Sequence, residues 1–90
     1  MSDAILDSAV PRIAPLYRLQ FEPAQDAWVL LYPEGLVKLN GPASEILKRC
    51  DGKANVAQIT ADLELAFNQP GLRNDVGDFL ADAQARGWIV

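Results

Sequence analysis

The amino-acid sequence predicts a small α+β domain in which a three-stranded antiparallel meander is followed by a bundle of three helices. Three observations carry that prediction: a period-two alternation starting at Tyr17, a run apolar on both faces from Ala27 to Tyr32 that ends in a tight reversal, and successive apolar stripes at helical spacing between Ala43 and Ala83. A chain of 90 residues leaves room for one core, because a domain of this size buries only about two thirds of its unfolded surface.

The elements follow in order. Residues 1–15 show no sustained period and close on Pro11 and Pro15, which neither continue a helix nor donate to a sheet ladder; a flexible arm is expected there, with the folded domain over 16–90. Tyr17, Leu19 and Phe21 then alternate with Arg18, Gln20 and Glu22, the pattern of a half-buried strand. Pro23 to Asp26 supply turn residues before the second strand, Ala27 to Tyr32, both of whose faces require a cover. Pro33-Glu34-Gly35 reverses the chain into a third strand, Leu36 to Leu39. Asn40-Gly41-Pro42 is a helix start, since proline suits the first turn, and Ala43, Ile46, Leu47 and Cys50 form a stripe that Gly52 ends. Asn55 with Gln58 three residues on resembles a capping box for a second helix, which Pro70-Gly71 breaks. The third helix runs from about Arg73 to Arg86 with Val76, Phe79, Leu80 and Ala83 on its inner stripe, Gly87 as its stop, and Trp88-Ile89-Val90 as an apolar tail.

Charge and composition exclude several functions. Eight Lys+Arg against twelve Asp+Glu give a net charge of -4, unsuited to binding phosphate backbones, so no nucleic acid is expected. Histidine is absent and Cys50 is the single cysteine, which removes the commonest general base, any multi-thiolate metal site and an internal disulfide. No catalytic role, metal or cofactor is therefore expected. Ala27 to Tyr32 is the longest apolar stretch, far below the roughly 20 residues of a membrane span, and Met1 to Ala14 lacks a basic start followed by an apolar run, so a cytoplasmic protein without membrane contact is expected. Cys50 lies near the C-terminal end of its helix, where the dipole disfavours a thiolate, and reads as core filler.

Binding features remain. Asp75, Asp78 and Asp82 form either a solvated face or a docking strip, and Gly77, inside a helix, trades about 1 kcal/mol of propensity for close backbone approach. A meander leaves two unpaired edges, and the third strand carries only Lys38 as a protective charge, so an extended peptide can add there. A proline at Val37 or Lys38 is expected to weaken such binding more than folding. Cover by the arm or by a second copy is the alternative.

Leu30-Leu31-Tyr32-Pro33-Glu34-Gly35, Leu39-Asn40, Ala43, Ile46-Leu47, Cys50-Asp51-Gly52, Asp75-Val76, Phe79-Leu80 and Gly87-Trp88, in that order, resemble the PqqD family over roughly residues 15 to 90. The resemblance implies a winged-helix-like peptide chaperone of pyrroloquinoline quinone biosynthesis, a recognition element that binds the precursor peptide PqqA and presents it to the radical SAM enzyme PqqE. It further implies that the leader adds along Leu36, Val37, Lys38 and Leu39, beside groove walls at Arg73, Val76, Phe79, Leu80 and Ala83. The turn residues Tyr32, Pro33 and Glu34 serve either the hairpin alone or also a contact with PqqE. Two rivals stand beside this reading. One is a winged-helix DNA binder, opposed by the three aspartates of its would-be reading helix; the other is a purely structural homodimer joined by the arm or the strands.

Overall fold

The period-two alternation becomes a register. In a computed structural model, which describes residues 5–90, β1 (Arg18–Glu22), β2 (Ala27–Tyr32) and β3 (Gly35–Lys38) form one antiparallel sheet in the order β1-β2-β3. Leu19 lies opposite Leu30 and Leu30 opposite Val37, while Phe21 faces Trp28. These residues belong to one face, and Leu30, Leu39, Val37, Leu19 and Trp28 from that face join the helices in a common core. The opposite face carries Val29 between Gln20 and Lys38, and Leu31 between Arg18 and Leu36. Val29 is fully buried there although it stands outside the main core cluster, while Leu36 remains 43% exposed.

Helices α1 (Gly41–Lys48), α2 (Val56–Ala66) and α3 (Arg73–Ala85) follow. Asn40 caps α1 by accepting the Ala43 N–H at 2.8 Å, with Pro42 in the first turn. The capping box at α2 is reciprocal: Asn55 Oδ1 accepts from Gln58 N–H, and Gln58 Oε1 accepts from Asn55 N–H, both at 2.8 Å. Helix α1 ends before Cys50, which is buried just beyond it, and Gly87 takes φ 82° at the close of α3, a left-handed step open to glycine. Leu30, Leu47, Ile59 and Leu80 are the largest fully buried side chains, each contributing about 1.5–3 kcal/mol.

One segment differs from expectation. Residues 5–15, read as a flexible arm, are docked, while residues 1–4 of that segment lie outside the described residues. Arg12 and Val90 exchange backbone hydrogen bonds at 3.1 and 2.9 Å, and Ala14 N–H donates to the Trp88 carbonyl at 2.8 Å. Ile13 and Ile89 thus form a small bridge that also accounts for the apolar tail. Upstream, the Ala9 and Asp7 carbonyls accept the N–H groups of Val56 and Ala57 at 2.9 and 3.1 Å. The segment thereby completes the N-terminal cap of α2 with main-chain groups, which leave no trace in residue type.

Candidate functional site

The phase of the sheet ladder decides what β3 offers. Leu39 N–H donates to the Trp28 carbonyl at 2.9 Å. Alternation along an antiparallel pair then makes Val37–Leu30 and Gly35–Tyr32 the hydrogen-bonded pairs and turns the N–H and C=O of Leu36 and Lys38 outward. Among the described residues nothing pairs with these outward groups, so the edge is open. Main chain and side chain divide here: Leu36 and Lys38 present backbone to the edge and side chains to the face opposite the helical core, while Val37 and Leu39 send theirs into the core. The expectation that a proline at Val37 weakens binding more than folding is therefore corrected, because that N–H belongs to the ladder.

The turn leading to β3 consists of Pro33 and Glu34, closed by the Tyr32–Gly35 pair. Neither turn residue has positive φ, which excludes the primed hairpin turns, and Gly35, at φ 157°, begins the next strand. Tyr32 is half-buried with its ring 5.5 Å from that of Tyr17. Pro33 and Glu34 are exposed, and the Glu34 carboxylate has no hydrogen bond or ion pair among the described residues.

The structure divides the expected groove walls on α3. Val76, Leu80 and Ala83 face inward and are buried at 2%, 0% and 0%, so Leu80 and Ala83 belong to the core and not to an open wall; Val76 keeps one margin on a surface cleft. Phe79 is half-buried and packs against Trp88, centroids 6.5 Å apart. Arg73 is committed elsewhere: its Nε donates to Asp7 Oδ1 at 2.5 Å and its Nη2 to the Ile5 carbonyl at 2.7 Å. Gly77 explains that route, since a Cβ there would run into the Arg73 guanidinium, with Ile5 close by. The close approach expected at this glycine is made by the N-terminal segment, and the signal that finds it is the Arg73–Gly77 spacing of one helical turn.

Asp75 and Asp78 are solvated, and Asp82 binds Arg86 at 2.8 Å. With Arg73 and Arg86 both occupied by carboxylates, α3 has no free cation to set against phosphate, which further weakens the DNA-binding rival. Burial, with the Asp51 charge adding to it, pushes the Cys50 thiol up to about 12. The direction matches expectation, but desolvation is the principal cause.

This arrangement defines a small α+β domain with an open edge strand. The chain belongs to the PqqD family: residues 27–89 match the family described as Coenzyme PQQ synthesis protein D. It is 53% identical over 90 residues to the PqqA binding protein of Pseudomonas aeruginosa strain UCBPP-PA14, covering 99% of this chain and 97% of that one. The PqqA binding protein of Methylococcus capsulatus strain Bath is 43% identical over 77 residues, covering 86% of this chain and 83% of its own. The likeness extends to a solution NMR structure of the PqqD truncation of Methylobacterium extorquens PqqCD, described as a functional, stand-alone recognition element for ribosomally synthesized and modified peptides. There the TM-score is 0.80 at 29% identity, covering 97% of this chain and 95% of that one. Similarity to the Pseudomonas relative takes in the N-terminal segment as well, beyond the span of the sequence motifs.

Proposed function

We propose that this protein is a non-catalytic peptide chaperone that binds the precursor peptide PqqA by strand addition to β3 and presents it to the radical SAM enzyme PqqE. The observation that carries the reading is the open edge, where Leu36 and Lys38 turn two N–H and two C=O groups outward with no partner among the described residues. The names of the relatives, as PqqA binding proteins, supply the peptide. Backbone pairing grips an extended chain whatever its sequence, and alternate side chains supply selectivity. Ordering such a peptide costs about 2–5 kcal/mol, which favours firm but releasable binding.

Within this reading Leu36, Val37, Lys38 and Leu39 form the docking strand, half-buried Phe79 lines the flank, Val76 backs the neighbouring cleft, and Leu80, Ala83 and Arg73 act through the scaffold. Contact with PqqE falls to Pro33 and Glu34, because the Glu34 carboxylate has no structural duty within the described chain. Homodimerisation through a strand edge would compete with PqqA for β3. A cytoplasmic site of action fits the sequence, and among the described residues no helix is long and apolar enough to cross a membrane. Titration of fluorescently labelled PqqA into the folded protein tests the proposal: saturable 1:1 binding is expected, and its absence rejects the reading.

A further inference from the structure

Directly beyond β3 the chain turns into a cleft. Gly41 and Pro42, three and four residues after Lys38, form one lip of a surface cavity of about 510 Å³. Its walls are mainly apolar, with Pro42 and Ile46 from α1, Leu63 and Phe67 from the end of α2, and Leu72 with Val76 at the start of α3, while Glu45, Gln69 and Asp75 are its polar lining. Phe67, just past the end of α2, stands 52% exposed and so offers an aromatic face to the cleft.

The charges around this cleft are unequal. Glu45 is held by Lys48 at 2.9 Å and by Arg49 at 3.0 Å, and those two partners keep its carboxyl below the usual range. Glu64, close by, accepts the Leu72 N–H at 2.9 Å. Asp75, on the rim, has no hydrogen bond or ion pair among the described residues. An apolar floor with one unmatched carboxylate at its edge suits an apolar side chain neighboured by a cation.

We infer that this cleft is an anchor pocket for the same precursor peptide, taking one apolar side chain of PqqA three or four residues from the one paired with Lys38, with a neighbouring basic residue at Asp75. The inference rests on strand addition at β3 and deepens it. Continuity gives the occupant: a strand advances about 3.3 Å per residue, so a peptide following β3 past Lys38 reaches the Gly41 lip within roughly 10 Å. Main-chain pairing alone is nearly blind to sequence, and a pocket at the end of the edge supplies register as well as choice.

Two variants obstruct the cleft without touching the edge. Gly41→Phe adds a ring at the lip, where a Cβ meets nothing within 4 Å beyond its chain neighbours and φ is not positive; because Pro42 follows it, a thermal melt of this variant accompanies the titration, and Phe67→Glu tests the cleft independently. Phe67→Glu places a like charge near Asp75 and removes an apolar wall. The experiment combines titration of labelled PqqA into wild type, Gly41→Phe, Phe67→Glu and Lys38→Pro with amide-shift mapping of the wild type. Expected are at least a tenfold rise in Kd for both cleft variants, and peptide-induced shifts at Ile46, Phe67, Leu72 and Val76 as well as at Leu36 and Lys38. An alanine scan of the apolar residues of PqqA should find one whose truncation weakens wild type but has little further effect in Gly41→Phe. Shifts confined to the β3 edge, with Kd unchanged in both cleft variants, overturn the pocket and leave strand addition standing. No shift anywhere overturns both. Cleft shifts that follow the concentration of the protein without peptide assign the pocket to a second copy and overturn the inference.

Discussion

A proline placed at each of two adjacent positions separates binding from folding. In Val37→Pro the lost N–H is the one facing Leu30, a fully buried residue, and its carbonyl is left without a donor. Stranding a buried acceptor costs about 1–3 kcal/mol, and each kcal/mol lowers Tm by roughly 4–8 °C in a domain of this size. A fall of roughly 5–20 °C is therefore expected. In Lys38→Pro the lost N–H points into solvent, so the ladder is intact, and an edge strand tolerates proline on that side. Folding should change by less than about 1 kcal/mol. Bound peptide, by contrast, loses a donor for one of its carbonyls; at about 1–3 kcal/mol the dissociation constant rises roughly 5- to 150-fold. Thermal melts followed by titration of labelled PqqA read both quantities on the same samples. Parallel losses of Tm and affinity in the two variants, or an unchanged Kd in Lys38→Pro, would refute the ladder phase on which the placement depends.

Three further outcomes follow from the geometry. Leu80→Ala empties a fully buried core position and should cost about 2–5 kcal/mol of stability, whereas Phe79→Ala, half-buried at the flank, should cost less stability and more affinity for PqqA; denaturant melts paired with titrations compare them, and a reversed order would return Leu80 to the groove. Gly77→Ala gains about 1 kcal/mol of helix propensity but pushes the Arg73 guanidinium off Asp7 and Ile5, so Tm should move little while the amides of Val56 and Ala57, bonded to the Ala9 and Asp7 carbonyls, lose exchange protection; retained protection would show the segment does not need Arg73. For Cys50 the folded thiol pKa is raised above its ordinary value of 9.0 to about 12, so its contribution to stability is complete below pH 9 and is lost as pH rises from 9 towards 12. Ellman's reagent should label the native thiol only on unfolding, and rapid labelling of the folded protein at pH 8 would contradict its burial.

Residues whose side chains make their own local structure were legible in the sequence. Asn55 and Gln58 cap α2 as their spacing foretold, and Leu19 and Phe21 share the side of β1 that their alternation assigned. Structure made by main-chain groups far apart in sequence was hidden. The carbonyls of Asp7 and Ala9 on α2 and the exchange between Arg12 and Val90 depend on no particular side chain, so the N-terminal segment read as mobile. The site divides in the same way. The open third strand was visible from strand order, but which of its N–H groups face outward depends on the hairpin closing at Tyr32–Gly35, a matter of one residue of register. On α3 the apolar stripe was correct, but a stripe alone does not distinguish core from groove. Leu80 and Ala83 went to the core, and Phe79, displaced around the helix, stayed near the surface.

Amide hydrogen exchange of β3 with and without saturating PqqA tests the central claim most directly. In the free protein Val37 and Leu39 should exchange slowly and Leu36 and Lys38 quickly, and peptide should slow Leu36 and Lys38 selectively. Slow exchange at Leu36 and Lys38 before peptide is added, or no change at either when PqqA is bound, would contradict it.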